Sequence, residues 1–247
     1  MRIVIFGGTT EGRLLSRELA DLGAEVTVCV ATSYGREEQG GYPGTAVFSG
    51  RLDALEMRRV VAGMDLCVDA THPYAAEASQ NILEACRQEQ VRRVRLLRGQ
   101  SEIPENAKVF ADASGAAEWL KSTCGNILLA TGAKELGVFS ALGGERLYPR
   151  VLPLQESLAA CEAAGVPRSN IIAMQGPFSQ ELNEALIRQF EIRYLVTKDG
   201  GRAGGFAEKA AAAAAAGARL ILIRRPAEDG LDYNAVLTQC REMITCG

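Results

Sequence analysis

Short apolar runs alternate along this chain with segments whose apolar positions recur at helical spacing. In the first half, RIVIFGG, EVTVCVA, TAVFSG, LCVDATH and RRVRLLR read as strands. EGRLLSRELADLG, LDALEMRRVVAGM and AAEASQNILEACRQEQ read as helices. In the second half, NILLATG, RLYPRVL, NIIAMQG, RYLVTKDG and RLILIRRP read as strands. LQESLAACEAAG, SQELNEALIRQF, GFAEKAAAAAAAG and a last segment near NAVLTQCREM read as helices. Strands alternating with helices predict an α/β fold of parallel sheets covered on both faces. The pattern divides into two Rossmann-like, doubly wound lobes with a cleft between them. Residues 1–100 form a dinucleotide-binding lobe, the more polar 101–125 a crossover, and 126–247 a substrate lobe. The seven alanines Ala210–Ala216 suit a helix lying close on a sheet, since alanine is the best helix former.

In such folds ligands sit at the carboxyl ends of the strands, and the distinctive motifs fall there. The first strand runs into Gly7-Gly8-Thr9-Thr10-Glu11-Gly12, a variant of the G-x-G-x-x-G fingerprint in which Thr9 stands at the second glycine place. Gly7 permits the tight turn and Gly12 the close approach of helix to strand. The helix that follows offers free N–H groups and a positive dipole end to a phosphate, and Thr9 and Thr10 add hydroxyl donors. The bland alternative is a tight turn capped by threonine. The second strand ends in Thr32, Ser33 and Arg36 without an acid to grip a ribose hydroxyl, which leans toward NADPH over NADH.

DATHPYA places Asp69, Thr71, His72 and Tyr74 at another strand end, and His72 is the only histidine in the chain. The proline fixes the residue before it in extended backbone, so His72 and Tyr74 are presented rigidly. Thr71 and His72 are candidates to touch a cofactor. MQGPFS offers Gln175 and Ser179, with simple helix capping as the alternative for Pro177 and Ser179. VTKDGGRAGGFAEK sets Lys198, Asp199, Arg202 and Lys209 among glycines, which suits an anionic ligand or, more plainly, a loop of solvated charges.

With 27 basic and 30 acidic residues in 247 and no block of like charge, a nucleic-acid surface is not expected. No apolar run reaches the roughly 18 residues of a membrane span. The apolar start stops at Gly7, unlike a signal peptide, and a cytoplasmic protein is expected. The seven cysteines form no C-x-x-C pair, so no metal site is expected, and most read as small core residues of a reduced protein.

GGTTEGR, DATHPYA, the TGAK stretch, YPRVLP, MQGPFS, VTKDGG-x-x-GG-x-x-EK and the RRP ending at Pro226 together resemble the precorrin-6A reductases of corrin-ring biosynthesis. The resemblance runs in order from Arg2 to Pro226, with Gly200 standing where the family pattern has serine. It implies a nicotinamide cofactor (NADPH or NADH) and a tetrapyrrole substrate, cobalt-containing or metal-free. The C18–C19 double bond of that substrate is reduced to the 6B form. A net charge of -3 calls for a local positive lining around a ring bearing carboxylates. Lys134, Arg150, Gln175, Ser179, Arg202 and Lys209 are the substrate candidates, with Arg98 and Arg146 also near strand ends. The cofactor carries the chemistry while the protein supplies one proton. Lys198, Asp199, Tyr74 and His72 are the candidate donors, and a cleft between lobes would set the Lys198–Asp199 pair across the ring from the nicotinamide. A monomer is compatible with this pattern. The competing readings are a non-catalytic NAD(P)-sensing module and a two-lobed transferase acting on a nucleotide-linked substrate; a sensor has little use for the Lys/Arg/Gly-rich loop.

Overall fold

The computed structural model describes residues 1–99, 101–201, 204–225 and 228–245. The chain forms two compact units, Met1–Gly99 with Ala227–Gly247, and Gln100–Pro226.

In the first unit the strands are β1 (Arg2–Phe6), β2 (Glu25–Val30), β3 (Thr45–Ser49), β4 (Leu66–Asp69) and β5 (Arg92–Arg95). They are joined through α1 (Thr10–Asp21), α2 (Ser33–Gln39), α3 (Ala54–Val61) and α4 (Ala76–Gln88). All pair in parallel, in the order β3-β2-β1-β4-β5. β1 shows why continuous apolar runs mark such strands. Ile3 and Ile5 pack with Leu15 and Leu19 of α1. Val4 and Phe6 pack with Met57 and Val61 of α3 and Ile82 and Cys86 of α4 on the other face. A strand buried on both faces cannot alternate with polar residues.

The second unit holds β6 (Lys108–Phe110), α5 (Ala113–Lys121), β7 (Asn126–Ala130), α6 (Leu136–Phe139), β8 (Leu147–Val151) and α7 (Gln155–Ala163). It continues with β9 (Ile172–Ala173), α8 (Gln180–Gln189), β10 (Ile192–Lys198), α9 (Phe206–Ala215) and β11 (Arg219–Ile223). Its parallel sheet runs β6-β11-β10-β7-β8-β9. Read from β9 this is the doubly wound order 3-2-1-4-5-6, with the sixth place taken by the strand that comes first in sequence. The alanine tract fills the second half of α9 and its C-cap Ala216, and Ala212 and Ala213 are buried against the sheet.

Three features differ from the sequence pattern. The stretch 101–125 is not a bare crossover: it supplies β6 and α5 to the second sheet, and Ala113, Ala116, Ala117 and Leu120 form a buried helical stripe. α2 fills what read as a loop after the second strand; Gln39 is its one buried residue, so it carries no apolar stripe. The last helix, α10 (Tyr233–Thr245), belongs to the first unit, where Val236, Leu237 and Cys240 join the cluster of Ile3, Leu15 and Leu19. Its Tyr233 hydroxyl donates to Glu18 Oε1 of α1 at 2.7 Å.

Among the described residues no helix is long and apolar enough to cross a membrane. Cys29, Cys67, Cys86, Cys161 and Cys240 are buried as free thiols, Cys124 is exposed, and Cys246 lies outside the described residues.

Because Val236 is fully buried, Val236→Ala should destabilise the first unit by about 2 kcal/mol, from two lost methyl groups plus the cavity. Urea denaturation checks this. An unchanged midpoint would remove α10 from the core.

Candidate active site

Both sheets present a topological switch point, where neighbouring strands lead to opposite ends of the sheet. In the first unit it lies between β1 and β4. The glycine turn follows β1, and the Ala70 amide bonds to the Phe6 carbonyl at 2.9 Å across the gap. A side chain on Gly12 would meet Ala70 Cβ at 2.9 Å, and one on Gly7 would meet Val28 at 3.3 Å. Those two glycines set the packing of α1 on the sheet. Gly8 has φ +100° and open space beside it, which leaves room for a ligand over the backbone. Thr9, expected to offer its hydroxyl to a phosphate, does not. It caps α1, accepting from the Gly12 amide at 3.1 Å and donating its one proton to the Ala70 carbonyl at 3.0 Å. Thr10 stays exposed at the helix start. This turn fits the pyrophosphate of a dinucleotide: an open glycine backbone, the amides of the first turn of α1 and an exposed hydroxyl converge on one edge.

Glu11, in that first turn, pairs with Arg98, whose Nε lies 3.1 Å from Glu11 Oε2. Arg98 is buried in the segment after β5. Thr32 caps α2 through the Gly35 amide at 3.0 Å, and Ser33 and Arg36 are exposed beyond the end of β2, within the same edge.

Across the switch point, Asp69 is fully buried at the end of β4. Its register partner on β5 is Arg95, which pairs with Oδ1 at 2.8 Å, while Arg93 pairs with Oδ2. Burial works to raise the Asp69 pKa. The Arg95 charge and hydrogen bonds from Ser79, Thr71 and Arg93 outweigh it and hold the carboxyl below its usual value. Thr71 is tied to this carboxylate by its amide at 3.1 Å and its hydroxyl at 2.7 Å, so it is placed by Asp69. His72 is exposed and its Nδ1 accepts from the Tyr74 amide at 3.3 Å. That bond puts the proton of the neutral ring on Nε2. The two rings lie 5.5 Å apart.

In the second unit the switch point lies between β7 and β10. Lys198, at the end of β10, pairs with Glu135 after β7 at 2.8 Å. Asp199 is buried, accepts from the Ser101 hydroxyl at 2.7 Å and the Gly201 amide at 3.2 Å, and lies 3.8 Å from Arg225. These contacts make it an anchor of its loop. Lys134 is exposed on the opposing loop.

Beside them stand two buried cations. Arg150, at the end of β8, donates to Asn183 Oδ1 at 2.7 Å, and its guanidinium lies 4.0 Å from the centre of the Phe178 ring. Lys209 of α9 donates to the Gly204 carbonyl at 2.8 Å. Among the described residues neither has a carboxylate within ion-pair reach of 4.0 Å. Burial, reinforced by the Arg150 charge and partly offset by Glu208, pushes the Lys209 pKa down from 10.5 to about 8. Burial also lowers Arg150, to about 10, which leaves it a cation at neutral pH. Such a pair is electrostatically incomplete and suits a carboxylate guest.

Not every expected residue lies at that edge. Arg146 precedes β8, at the amino end of the sheet, where it donates to Gly125 O and Thr123 Oγ1; it is not at the ligand edge. Ser179 caps α8 through the Leu182 amide at 3.3 Å, and Gln175 is exposed beside it. Arg202 lies outside the described residues. The sequence pattern gave no role to Asn183, Phe178, Arg93, Arg95 or Glu208. The spacing of Arg93 and Arg95 two apart on a strand beside DATHP was the one available signal. Among the described residues no group of three or more His, Cys, Asp or Glu could hold a metal.

Residues 2–246 match the family described as "Precorrin-6x reductase CbiJ/CobK". The chain is 35% identical to the cobalt-precorrin-6A reductase of Methanothermobacter thermautotrophicus, over 99% of this chain and 82% of that protein. It is 30% identical to the precorrin-6A reductase of Rhodobacter capsulatus, over 96% of this chain and 92% of that one. A solved structure titled "CobK precorrin-6A reductase" superposes with a TM-score of 0.77 at 26% identity, covering 98% of this chain and 96% of its own. On this match along nearly its whole length, the chain belongs to the precorrin-6x reductase family, oxidoreductases of cobalamin biosynthesis.

Proposed function

We propose that this protein reduces the C18–C19 double bond of precorrin-6A, or of its cobalt form, with NADPH or NADH. The observation that carries this reading is the glycine turn opening α1 at the switch point of a 3-2-1-4-5 sheet, in a chain of this family. When bound, the cofactor supplies the hydride. The first unit holds its pyrophosphate over Gly8 and the α1 amides, with Thr32, Ser33 and Arg36 beside the adenosine ribose and Thr71 and His72 toward the nicotinamide. In the second unit Arg150 and Lys209 hold a carboxylate of the macrocycle, with Lys134, Gln175 and Ser179 around the same strand ends. The proton that completes the reduction comes from the Lys198–Asp199 pair: Lys198 delivers it directly or through one water, and Asp199 fixes the loop. Tyr74 and His72 are the alternative donors.

The purified protein should oxidise NAD(P)H only when precorrin-6A or cobalt-precorrin-6A is added; oxidation independent of both would refute the reading. Thr10→Asp separates binding from folding. An acid at the start of a helix favours the helix, so thermal stability should hold or rise, while NAD(P)H affinity falls by roughly tenfold or more through repulsion of the phosphates. Normal affinity in this variant would put the phosphates elsewhere.

Lys209 predicts a pH dependence. Its pKa of about 8 means that it is charged below that pH and neutral above. The kcat/KM should therefore fall as pH rises through about 8, because the free enzyme loses a cation that holds substrate. Lys209→Met should lose that limb and raise KM by roughly 10–100-fold, with kcat changed less. A profile unchanged in the variant would remove Lys209 from the substrate site.

For the proton, single-turnover reduction at saturating cofactor should slow by roughly 100-fold or more in Lys198→Met and less in Asp199→Asn. Wild-type rates in both would move the role to Tyr74 or His72.

A further inference from the structure

Glu11 poses an electrostatic problem. It is the second residue of α1, and an acid there favours the helix dipole. The same place is where a phosphate settles on a helix start, so its carboxylate and an incoming pyrophosphate carry like charge. Arg98 answers this from 87 positions along the chain. Its side chain is 8% exposed, that of Glu11 is 24% exposed, and Arg98 Nε stands 3.1 Å from Glu11 Oε2. Partly buried charges are screened less by salt than exposed ones, so this contact still acts at the turn at ordinary ionic strength.

We propose that Arg98 is a positioning residue for dinucleotide binding, acting as the counter-charge that cancels Glu11 inside the phosphate-binding turn. It works through Glu11 rather than by gripping the phosphate. Glu11 in return keeps Arg98 directed to the amino end of α1, so the two form a neutral unit that leaves the backbone amides to the ligand. This inference rests on the dinucleotide reading proposed above.

The sign of a double substitution tests it. NADH and NADPH are titrated by nicotinamide fluorescence into the full-length protein and into Arg98→Met, Glu11→Gln and the double variant, with thermal unfolding confirming that each folds. Arg98→Met should weaken binding by about tenfold or more, because the carboxylate is left uncancelled. Glu11→Gln should bind at least as tightly as the wild type. The double variant should return to within about threefold of the wild type, the signature of a coupled pair. A double variant as weak as Arg98→Met would overturn the proposal and make Arg98 a direct phosphate ligand or a packing residue. Unchanged affinity in Arg98→Met would overturn it as well. Arg98→Gln, alone and with Glu11→Gln, carries the same comparison should the methionine variants not fold. Failure of the wild type itself to bind either dinucleotide would instead refute the function proposed above.

Discussion

A carboxylate taken wholly out of water is costly unless every lone pair finds a donor, and Asp69 shows what that demands. Its side chain is fully buried at the carboxyl end of β4, and two guanidinium groups, two hydroxyls and an amide converge on it. Arg95 extends the network. It donates to the Thr71 carbonyl at 3.0 Å and pairs with Glu228 at 2.7 Å. Around it the Leu231 amide bonds to the Arg95 carbonyl, and the Leu97 amide to the Leu231 carbonyl. One buried charge therefore fixes both the loop that carries Thr71, His72 and Tyr74 and the segment that leads α10 back into the first unit. Removing Arg95, the more deeply buried of the two arginines, would leave the carboxylate to Arg93 and strip Glu228 of the same partner.

The second unit treats buried charge in the opposite way. Arg150 and Lys209 are buried too, yet Arg150 faces a neutral amide and an aromatic ring, and Lys209 a backbone carbonyl. Holding Lys209 charged at neutral pH costs the fold on the order of 3 kcal/mol, from a pKa lowered from 10.5 to about 8. The sign follows from linkage. Between those values the unfolded chain binds the extra proton, so this group lets stability rise with pH from about 8 to 10.5. A charge that weakens the fold is explained by what it binds, and a carboxylate-bearing ring supplies the missing counter-charge on the reading proposed here.

Local pattern carries far in such a fold because a parallel strand declares itself by an unbroken apolar run and its helix by a stripe. Ile3 to Phe6 and Leu220 to Ile223 are examples, each buried throughout. What escaped had weak or distant causes. α2 has a single buried residue, and β6 is three half-buried residues. α5, by contrast, carried a visible stripe and an aspartate cap at Asp112 within a stretch whose polarity masked it. The shape of the turn was legible because its causes are local, as in Gly7, Gly8 and Gly12. The site was not legible where a partner is remote: Thr9 donates to a carbonyl 61 positions away, and Arg150 to an amide 33 away. Strand order, and the return of the chain into the first unit, are likewise set by packing of distant segments.

The two units share one strand order yet are not interchangeable at their ligand edges. After β1 the chain makes an open glycine turn into the twelve-residue helix α1, whose aligned peptides focus a positive potential on the turn. After β7 the corresponding turn leads into α6, only four residues long and without a side-chain cap. Glu135 and Lys198 form an ion pair at that same edge. A short helix gathers few aligned dipoles, so its start attracts phosphate only weakly. The edge of the second unit is therefore poor for a pyrophosphate and, through Arg150 and Lys209, good for isolated carboxylates. The same fold, used twice, thus presents two chemically distinct surfaces, and this asymmetry supports assigning the dinucleotide to the first unit and the acidic ring to the second.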